Sequence, residues 1–289
     1  MKIIVPATSA NLGCGFDSVA IAVNLYLEVE VKQKSKKWFI EHHFGEEVPS
    51  DESNLMVQTA LGVAPHLTPY TLKVTSTIPL ARGLGSSSSA IVAGIELACL
   101  LANLPLTVDE KLNIACGLEG TPDNSVAAIL GGMIVATFGE EGLTYCKLNL
   151  PDCALVAYIP GYKILTAESR RILPAVLPYA EAVRASSIAN VMLCALSSGD
   201  IITAGKMMER DLFHEKYRES LFPELARVRP VAKKCGAYAT CLSGAGSTIF
   251  ILIEKGKEDR LISVLNEEKE QDTQIVKLEQ DIMGTRVER

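Results

Sequence analysis

A glycine- and serine-rich loop is the part of this sequence best suited to bind a phosphate. Residues 79–90 read Pro-Leu-Ala-Arg-Gly-Leu-Gly-Ser-Ser-Ser-Ser-Ala, after a strand-like segment and at the start of an apolar run. Glycines permit turns that point several N–H groups at one spot, and a helix N-terminus favours an anion there. The loop lacks the Gly-Lys-Ser/Thr ending of a Walker A sequence. A serine-capped core helix is the structural alternative, and the four consecutive serines favour phosphate.

Two further segments complete a pattern that spans the chain. Residues 6–17 read Pro-Ala-Thr-Ser-Ala-Asn-Leu-Gly-Cys-Gly-Phe-Asp, and residues 243–247 read Ser-Gly-Ala-Gly-Ser. Together with residues 79–90, they resemble the three ordered motifs of the GHMP kinases, which phosphorylate small-molecule alcohols. The first segment is most similar to its form in the members that act on homoserine. The resemblance implies ATP as phosphoryl donor, Mg²⁺ as metal and L-homoserine as acceptor.

The resemblance also assigns the nucleotide and the metal to particular residues. Glu119 and Ser87 are expected to hold Mg²⁺, which prefers oxygen ligands; by composition alone, Glu119 is equally well explained as a surface acid. Asn54 matches a position that reaches adenine, although a helix N-cap is an equally good explanation. The residues expected to bind ATP are Asn54, Pro79, Leu80, Ala81, Arg82, Gly83, Leu84, Gly85, Ser86, Ser87, Ser88 and Ser89.

Three polar residues match positions that contact the amino-acid substrate in the family. Asn11, Asp17 and Asn124 are expected to bind it, because a carboxylate suits an α-ammonium group and an amide suits a hydroxyl. Asn11 and Asp17 are also residues that commonly form turns. Many family members that act on homoserine have His where this chain has Thr121, so a direct role is not assigned to Thr121.

Two arginines are the expected partners of the substrate carboxylate. Thr166 and Arg170 are four residues apart and share one face if the segment is helical. The resemblance places Thr166 near the transferred phosphoryl group and assigns Arg170 and Arg218 to the carboxylate, which guanidinium groups bind through paired hydrogen bonds. Without the resemblance, either arginine would more often form a surface ion pair. The expected catalytic residues are Thr166, Asp123, Asn124 and Arg170.

A general base is harder to assign. Asp123 is a candidate acceptor for the hydroxyl proton. The four histidines, at 42, 43, 66 and 214, lie outside the motifs and are interpreted as solvated or core residues. Our hypothesis is that little base catalysis is needed, because a loose phosphoryl-transfer transition state requires mainly positioning and charge stabilisation.

Composition limits the possible partners and the compartment. The formal net charge of −6 and the lack of a clustered basic patch exclude nucleic acid and anionic membranes as expected partners. Eight cysteines without a metal-site or disulfide spacing predict a reducing compartment, and no signal peptide is recognised, so we expect a cytoplasmic protein. The family expectation for assembly is a homodimer.

Strands and helices are expected to mix without regular alternation, which favours an α+β fold over a doubly wound sheet. The 289 residues allow two domains, and we place them at 1–151 and 152–289. The resemblance implies an N-terminal α+β domain of the ribosomal-protein type and a ferredoxin-like second domain. Strands are expected at 2–6, 19–31, 38–42, 70–78, 131–137, 144–148, 154–159, 238–242, 248–253 and 273–277. Helices are expected at 54–64, from 90 onward, and at 108–118, 179–197, 200–209, 224–235 and 258–268.

Three other functions remain open from sequence alone. One is a different GHMP kinase, of the mevalonate or sugar type; another is a non-catalytic relative that binds small molecules. A binding module without nucleotide is the third, and it leaves three ordered glycine loops unexplained.

Overall fold

Two β-sheets organise the computed structural model, which describes residues 1–288. The first sheet has seven strands in the order β11-β1-β2-β4-β3, with β5 paired to β2 and β6 to β5; the second has the order β10-β7-β9-β8. The strands are β1 (Lys2–Ala10), β2 (Val19–Lys34), β3 (Phe39–Glu41), β4 (Tyr70–Ser76), β5 (Met133–Gly139), β6 (Gly142–Leu148), β7 (Ala154–Ile159), β8 (Ala237–Leu242), β9 (Ile249–Ile253), β10 (Gln274–Leu278) and β11 (Arg286–Glu288).

Strand pairing in both sheets is antiparallel, except for the short parallel pair of β3 and β4. The 16-residue strand β2 pairs with β1 along one edge and with two strands along the other, where its first residues pair with β5 and its last half pairs with β4. The helices are α1 (Leu55–Val63), α2 (Ser86–Ala102), α3 (Val108–Glu119), α4 (Asp123–Leu130), α5 (Thr166–Arg171), α6 (Tyr179–Ser198), α7 (Ile201–Met208), α8 (Glu215–Arg218), α9 (Pro223–Cys235) and α10 (Glu258–Glu268), with 3₁₀ turns at Gly45–Glu47 and Glu219–Leu221.

The central helix α2 is buried from Ser88 to Ala98, except at the partly exposed Ala90. Its small residues allow close approach, as at Gly94, where an added Cβ would lie 2.5 Å from the Met56 carbonyl oxygen of α1. Close packing against α1 therefore fixes the direction of α2 and aims its N-terminus at the loops that follow β1 and β4. The predicted buried helix from residue 90 onward is confirmed, and it begins four residues earlier, at Ser86.

Both faces of the second sheet are covered by helices. Alternate residues of a strand point to opposite faces, so Leu155 and Ala157 of β7 belong to a core cluster that also contains residues of α6 and α7. Val156 and Tyr158 belong to a second cluster with α9 and α10. The larger cluster continues into the first sheet and α2, so the two sheets share one core. Each fully buried large apolar side chain contributes about 2 kcal/mol to such a core.

The order β7, helices, β8, β9, α10 and β10 is the βαββαβ arrangement of a ferredoxin-like unit. The predicted α+β fold class is confirmed, and the two sheets agree with the predicted two-part arrangement. The division at residue 151 stays a prediction, and residue 289 lies outside the described residues. The final strand does not remain with the second sheet, however, because Ile3 of β1 pairs with Val287. Within residues 1–288, no helix has the length and apolar character needed to cross a membrane.

Candidate active site

A cavity of about 460 Å³ lies where the three motif loops meet the N-terminus of α2. Its walls come from the loop after β1, the loop before α2, the start of α4, α5 and its preceding segment, α8, and the loop between β8 and β9. Residues far apart in sequence are thus brought to one polar hollow. The residues predicted for the site that line it are Asn11, Asp17, Ala81, Gly83, Gly85, Ser86, Ser87, Ser88, Glu119, Asp123, Asn124, Thr166, Arg170 and Arg218.

Backbone contacts lock the three loops together. The Thr8 N–H donates to the Leu84 carbonyl at 3.2 Å, and the Gly244 N–H donates to the Ala10 carbonyl at 3.0 Å. The Ser243 hydroxyl donates to the Gly83 carbonyl at 2.6 Å. Gly83 has φ +76°, and a Cβ there would lie 2.2 Å from the Ser243 carbonyl oxygen. Only glycine satisfies both the backbone conformation and this close approach.

The N-terminus of α2 has free donors. Gly85 occupies the N-cap with φ 70° and provides no side-chain cap. The first intrahelical bond runs from the Ser89 N–H to the Gly85 carbonyl. In residues 1–288, the N–H groups of Ser86, Ser87 and Ser88 donate to no protein acceptor. Three unpaired donors and the positive end of a 17-residue helix make this a phosphate-binding position.

A second cavity, of about 240 Å³, borders the first and shares Ser86 and Ser87 with it. Its walls are mainly apolar, and Asn54 lies on them. The Asn54 amide is already used locally: its oxygen accepts from the Met56 N–H at 3.1 Å and its nitrogen donates to the Pro49 carbonyl at 2.8 Å. Asn54 is therefore the N-cap of α1, and its expected contact with adenine stays a prediction.

Glu119 ends α3 and carries the charge expected of a metal ligand. One carboxylate oxygen accepts a hydrogen bond from the Ser88 hydroxyl, and the other is buried without a partner in the described residues. Burial raises the pKa of Glu119 to about 7, and nearby Asp123 contributes to the increase. Mg²⁺ usually binds one or two protein carboxylates together with phosphate oxygens. The site fits this ion, because the unpaired carboxylate oxygen lies beside a serine hydroxyl and near the unpaired N–H groups that would bind phosphate. Residues 1–288 contain no cluster of three or more His, Cys, Asp or Glu that could form a cage for a metal by themselves.

Asp123 and Asn124 open α4 at the edge of the cavity. Asp123 is 3% exposed, and its Oδ1 accepts from the Asn124 N–H at 2.8 Å and from the Thr121 hydroxyl at 3.2 Å. Burial raises the pKa of Asp123 to about 6. The Asn124 side-chain oxygen accepts from the Thr8 hydroxyl at 2.7 Å, which ties α4 to the first motif loop.

Asp17 and Arg170 form a two-pronged ion pair. Two Arg170 nitrogens donate to the two Asp17 oxygens at 2.9 and 2.7 Å. The hydrogen bonds that Arg170 donates to Asp17 raise the pKa of Arg170 above its usual value. The sequence analysis assigned these residues to opposite ends of a substrate, and in the structure each neutralises the other.

Arg218 lies deeper and has no carboxylate partner among the described residues. It is 2% exposed; Nε donates to the Ser169 carbonyl and Nη1 to the Gly244 carbonyl, each at 3.1 Å. Burial, and then the charge of Arg170, lower the pKa of Arg218 to about 10, so it is charged at neutral pH. A buried cation on a cavity wall that has no hydrogen-bonded carboxylate favours an anionic ligand.

Family models match two parts of the chain. The GHMP kinases N terminal domain matches residues 54–132, and the GHMP kinases C terminal model matches residues 192–271. The homoserine kinase of Listeria innocua is 52% identical over 261 residues, which cover 90% of this chain and 91% of that protein. The homoserine kinase of Streptococcus sanguinis is 50% identical over the full length of both proteins. The chain belongs to the homoserine kinase family of the GHMP kinases.

A solved structure agrees with this membership. A Listeria monocytogenes protein, provisionally named a homoserine kinase, has a TM-score of 0.89 and 45% identity, and the match covers 100% of this chain and 99% of that one. The GHMP kinase resemblance, on which the sequence analysis relied, is therefore confirmed at the level of family and fold. The roles of individual site residues stay predictions.

Some predicted nucleotide contacts of the GHMP kinase loop lie outside the two cavities. The Arg82 guanidinium donates to the carbonyls of Leu80, Pro160 and Gly161, and so connects the loop to the end of β7. Leu84 is buried in the core at 1% exposure. The Arg82 side chain is thus engaged in hydrogen bonds to the backbone, and the Leu84 side chain is packed in the core. Leu80 and Ser89 line the apolar cavity. Pro79 lines neither of the two cavities.

Asn11 has a structural task in the first GHMP kinase loop. Its φ is 72°, its amide nitrogen donates to the Gly244 carbonyl at 2.8 Å, and its oxygen accepts from the Asp17 N–H at 3.0 Å. The turn interpretation of Asn11 is thus the one that the contacts support. Its expected contact with substrate stays a prediction.

Sequence reasoning included Ser88 only among the nucleotide contacts, and it missed His214. It selected Ser87 for the metal, whereas the structure places the hydroxyl of Ser88 on Glu119; nothing in a run of four serines distinguishes them before the helix phase is known. It also grouped His214 with ordinary core or solvated histidines, although His214 contacts Arg218. The only available signal was its position four residues before an arginine already selected.

Proposed function

We propose that this chain transfers the γ-phosphoryl group of ATP to the side-chain hydroxyl of L-homoserine and forms O-phospho-L-homoserine and ADP, a step toward threonine. One observation carries the substrate assignment: a single cavity at the phosphate-binding helix end contains both a carboxylate, Asp17, and a buried guanidinium, Arg218, to which no carboxylate of the described residues is hydrogen-bonded. An amino acid carries the matching ammonium and carboxylate. Membership in the homoserine kinase family supports the same assignment.

The two adjoining cavities suit the two ends of ATP. The apolar cavity near Asn54 would take the adenine, and the free N–H groups at Ser86 and Ser87, shared by both cavities, would take the phosphates. The γ-phosphoryl group then points into the polar cavity that contains Asp123 and Thr166. In this arrangement the donor phosphate would lie beside the acceptor hydroxyl, and such proximity favours transfer.

Glu119 and Ser88 are the residues that would hold Mg²⁺, and Ser87 lies one position away. The ion supplies charge neutralisation for the phosphate oxygens when it is bound. The raised pKa of Glu119 reflects a carboxylate buried without a positive partner. A cation bound beside this carboxylate would offset the cost of its burial.

During transfer, the homoserine hydroxyl oxygen bonds to the γ-phosphorus while the bond between this phosphorus and the β,γ-bridging oxygen breaks. ADP leaves with the bridging oxygen, and the hydroxyl proton passes to solvent late in the transfer. Asn124 would accept or donate a hydrogen bond to the hydroxyl, and Thr166 would lie beside the moving phosphoryl group. Asp123, with a pKa of about 6, is ionised at neutral pH and could accept the proton, but a loose transition state depends mainly on positioning and charge.

The Asp17–Arg170 pair offers a basis for selectivity. A homoserine zwitterion can replace both halves of this pair, because its ammonium binds Asp17 and its carboxylate binds Arg170 and Arg218. An alcohol without these groups would separate the pair and provide no new partner. A buried charge that loses its partner costs several kcal/mol, and even a partly exposed one costs about 1 kcal/mol.

The cytoplasm is the proposed compartment. All eight cysteines are free thiols, five of them buried, which fits a reducing environment. We also propose a homodimer, as the family expectation.

A coupled assay of ADP release with MgATP tests the proposal. Homoserine, mevalonate, galactose and serine would be compared at equal concentrations. Saturable release with homoserine alone is expected. Saturable release with mevalonate or galactose only would keep the kinase fold and overturn the substrate assignment, and no release with any alcohol would favour a non-catalytic relative.

A further inference from the structure

A fully buried histidine, His214, contacts the side chain of Arg218. His214 has 0% exposure, and its ring stacks on Phe16 of the first motif loop with ring centroids 5.0 Å apart. Arg218 also faces Phe16, with its guanidinium carbon 5.6 Å from the ring centroid. His214 therefore lies between the first motif loop and the arginine proposed to bind the substrate carboxylate.

The hydrogen bonds of His214 define its tautomer. Arg218 Nη1 lies 3.1 Å from the imidazole Nδ1, and an arginine can only donate. Nδ1 must therefore be the unprotonated acceptor, and the ring hydrogen is on Nε2. Nε2 lies 2.9 Å from the Gly13 carbonyl oxygen, to which it donates. The ring is thus a neutral bridge that accepts from Arg218 on one side and donates to the first loop on the other.

The position of His214 is itself tightly constrained. The Asp211 carboxylate accepts from the N–H groups of Phe213, His214 and Glu215 at 3.0, 2.8 and 2.7 Å. The buried Glu215 in turn accepts from the Leu242 N–H at 2.6 Å, immediately before the third motif loop. This turn is therefore fixed both by its own carboxylate cap and by strand β8.

We propose that His214 is a positioning residue for recognition of the substrate carboxylate, an inference that rests on the proposed function. It fixes the rotation of the Arg218 guanidinium, whose Nε and Nη1 are committed to Ser169, Gly244 and His214, so that Nη2 is left for a ligand. Because the same ring is tied to Gly13, four residues before Asp17, it also sets the spacing between the carboxylate and ammonium subsites.

Two substitutions separate this role from simple packing. His214→Phe keeps the ring and the stacking on Phe16 but removes both nitrogens. His214→Asn removes the ring but can place an amide oxygen near the position of Nδ1, where Arg218 needs an acceptor. His66→Gln, at an exposed histidine far from the cavity, is the matched control.

We expect His214→Phe to raise the KM for homoserine by about 10-fold, the factor for one lost hydrogen bond to a charged group. The kcat and the KM for ATP should stay within about twofold, because neither depends on this contact. His214→Asn should restore the homoserine KM to within about threefold of wild type. The control should match wild type.

Each outcome is decisive. Wild-type protein that does not turn over homoserine would defeat the proposed function, and this inference with it. Active wild type with an unchanged homoserine KM in His214→Phe, or with Asn no better than Phe, would overturn the role of His214 alone. If His214→Phe does not fold, the His214→Asn variant decides. This variant keeps a hydrogen-bond acceptor for Arg218, so a homoserine KM raised about 10-fold in it would overturn the proposed role of His214.

Discussion

Replacement of Glu119 by Gln should make the empty protein more stable at high pH and less active. The carboxylate is buried, one of its oxygens has no partner in the described residues, and its pKa is raised from 4.5 to about 7. The folded state therefore holds a proton that the unfolded state releases between these two pH values. Stability falls as pH rises through this window, and the full cost is present above about pH 7.

The magnitude follows from the shift in pKa. A difference of about 2.5 units at 1.36 kcal/mol per unit is about 3 kcal/mol above pH 7. Gln cannot ionise and can still accept from the Ser88 hydroxyl. Glu119→Gln should thus gain up to about 3 kcal/mol at pH 8, with a much smaller gain near pH 5.

Urea unfolding in EDTA, without nucleotide, measures this difference at the two pH values. Glu110→Gln on the same helix is the matched control. Glu110 is exposed, and the Thr107 N–H and hydroxyl lower its pKa, so its replacement should reduce stability at pH 8. A Glu119→Gln variant that is no more stable than wild type at pH 8, or whose gain is the same at both pH values, would refute the reasoning.

Three further substitutions test the remaining roles. Ser88→Ala should raise the Mg²⁺ concentration for half-maximal activity by about 10-fold more than Ser87→Ala, because Ser88 contacts Glu119; equal effects in a magnesium titration would contradict this. Arg218→Lys should raise the homoserine KM by about 10- to 100-fold with the KM for ATP unchanged, since a lysine lacks the planar fork; an unchanged homoserine KM would remove Arg218 from the carboxylate site. Asp123→Asn should keep kcat within about 10-fold if little base catalysis is needed, whereas a loss of about 10³-fold or more in a steady-state assay would identify Asp123 as the base.

Local signals made the phosphate loop and much of the fold predictable. The glycines at 83 and 85, followed by serines and an apolar run, predict a phosphate loop that leads into a buried helix, because each of these features acts within a few residues. The exact start of α2, at Ser86, lies four residues before the predicted one. The same holds for α3, where the Thr107–Glu110 capping box marks the start. The ferredoxin-like second unit required family resemblance as well, since its strand order is not encoded by any one segment.

Long-range contacts account for what sequence did not predict. Asp17 and Arg170 pair across 153 residues, and no local pattern distinguishes this pair from two separate substrate contacts. The last strand predicted from the sequence is 273–277, so β11 was not predicted. Its pairing with β1 joins two segments from opposite ends of the chain, which no local pattern indicates. Helix α8 has only four residues, too few for periodicity to identify, so the position of His214 behind Arg218 could not be found from the sequence.

The most direct test of the account is to identify the product by ³¹P NMR after incubation of the protein with MgATP and L-homoserine. The account predicts equal amounts of ADP and a new phosphomonoester whose phosphorus couples to the homoserine side-chain methylene. Conversion of ATP to ADP and inorganic phosphate alone would contradict it. So would the absence of ATP consumption with L-homoserine, if a parallel incubation with another alcohol consumes ATP and gives a phosphomonoester.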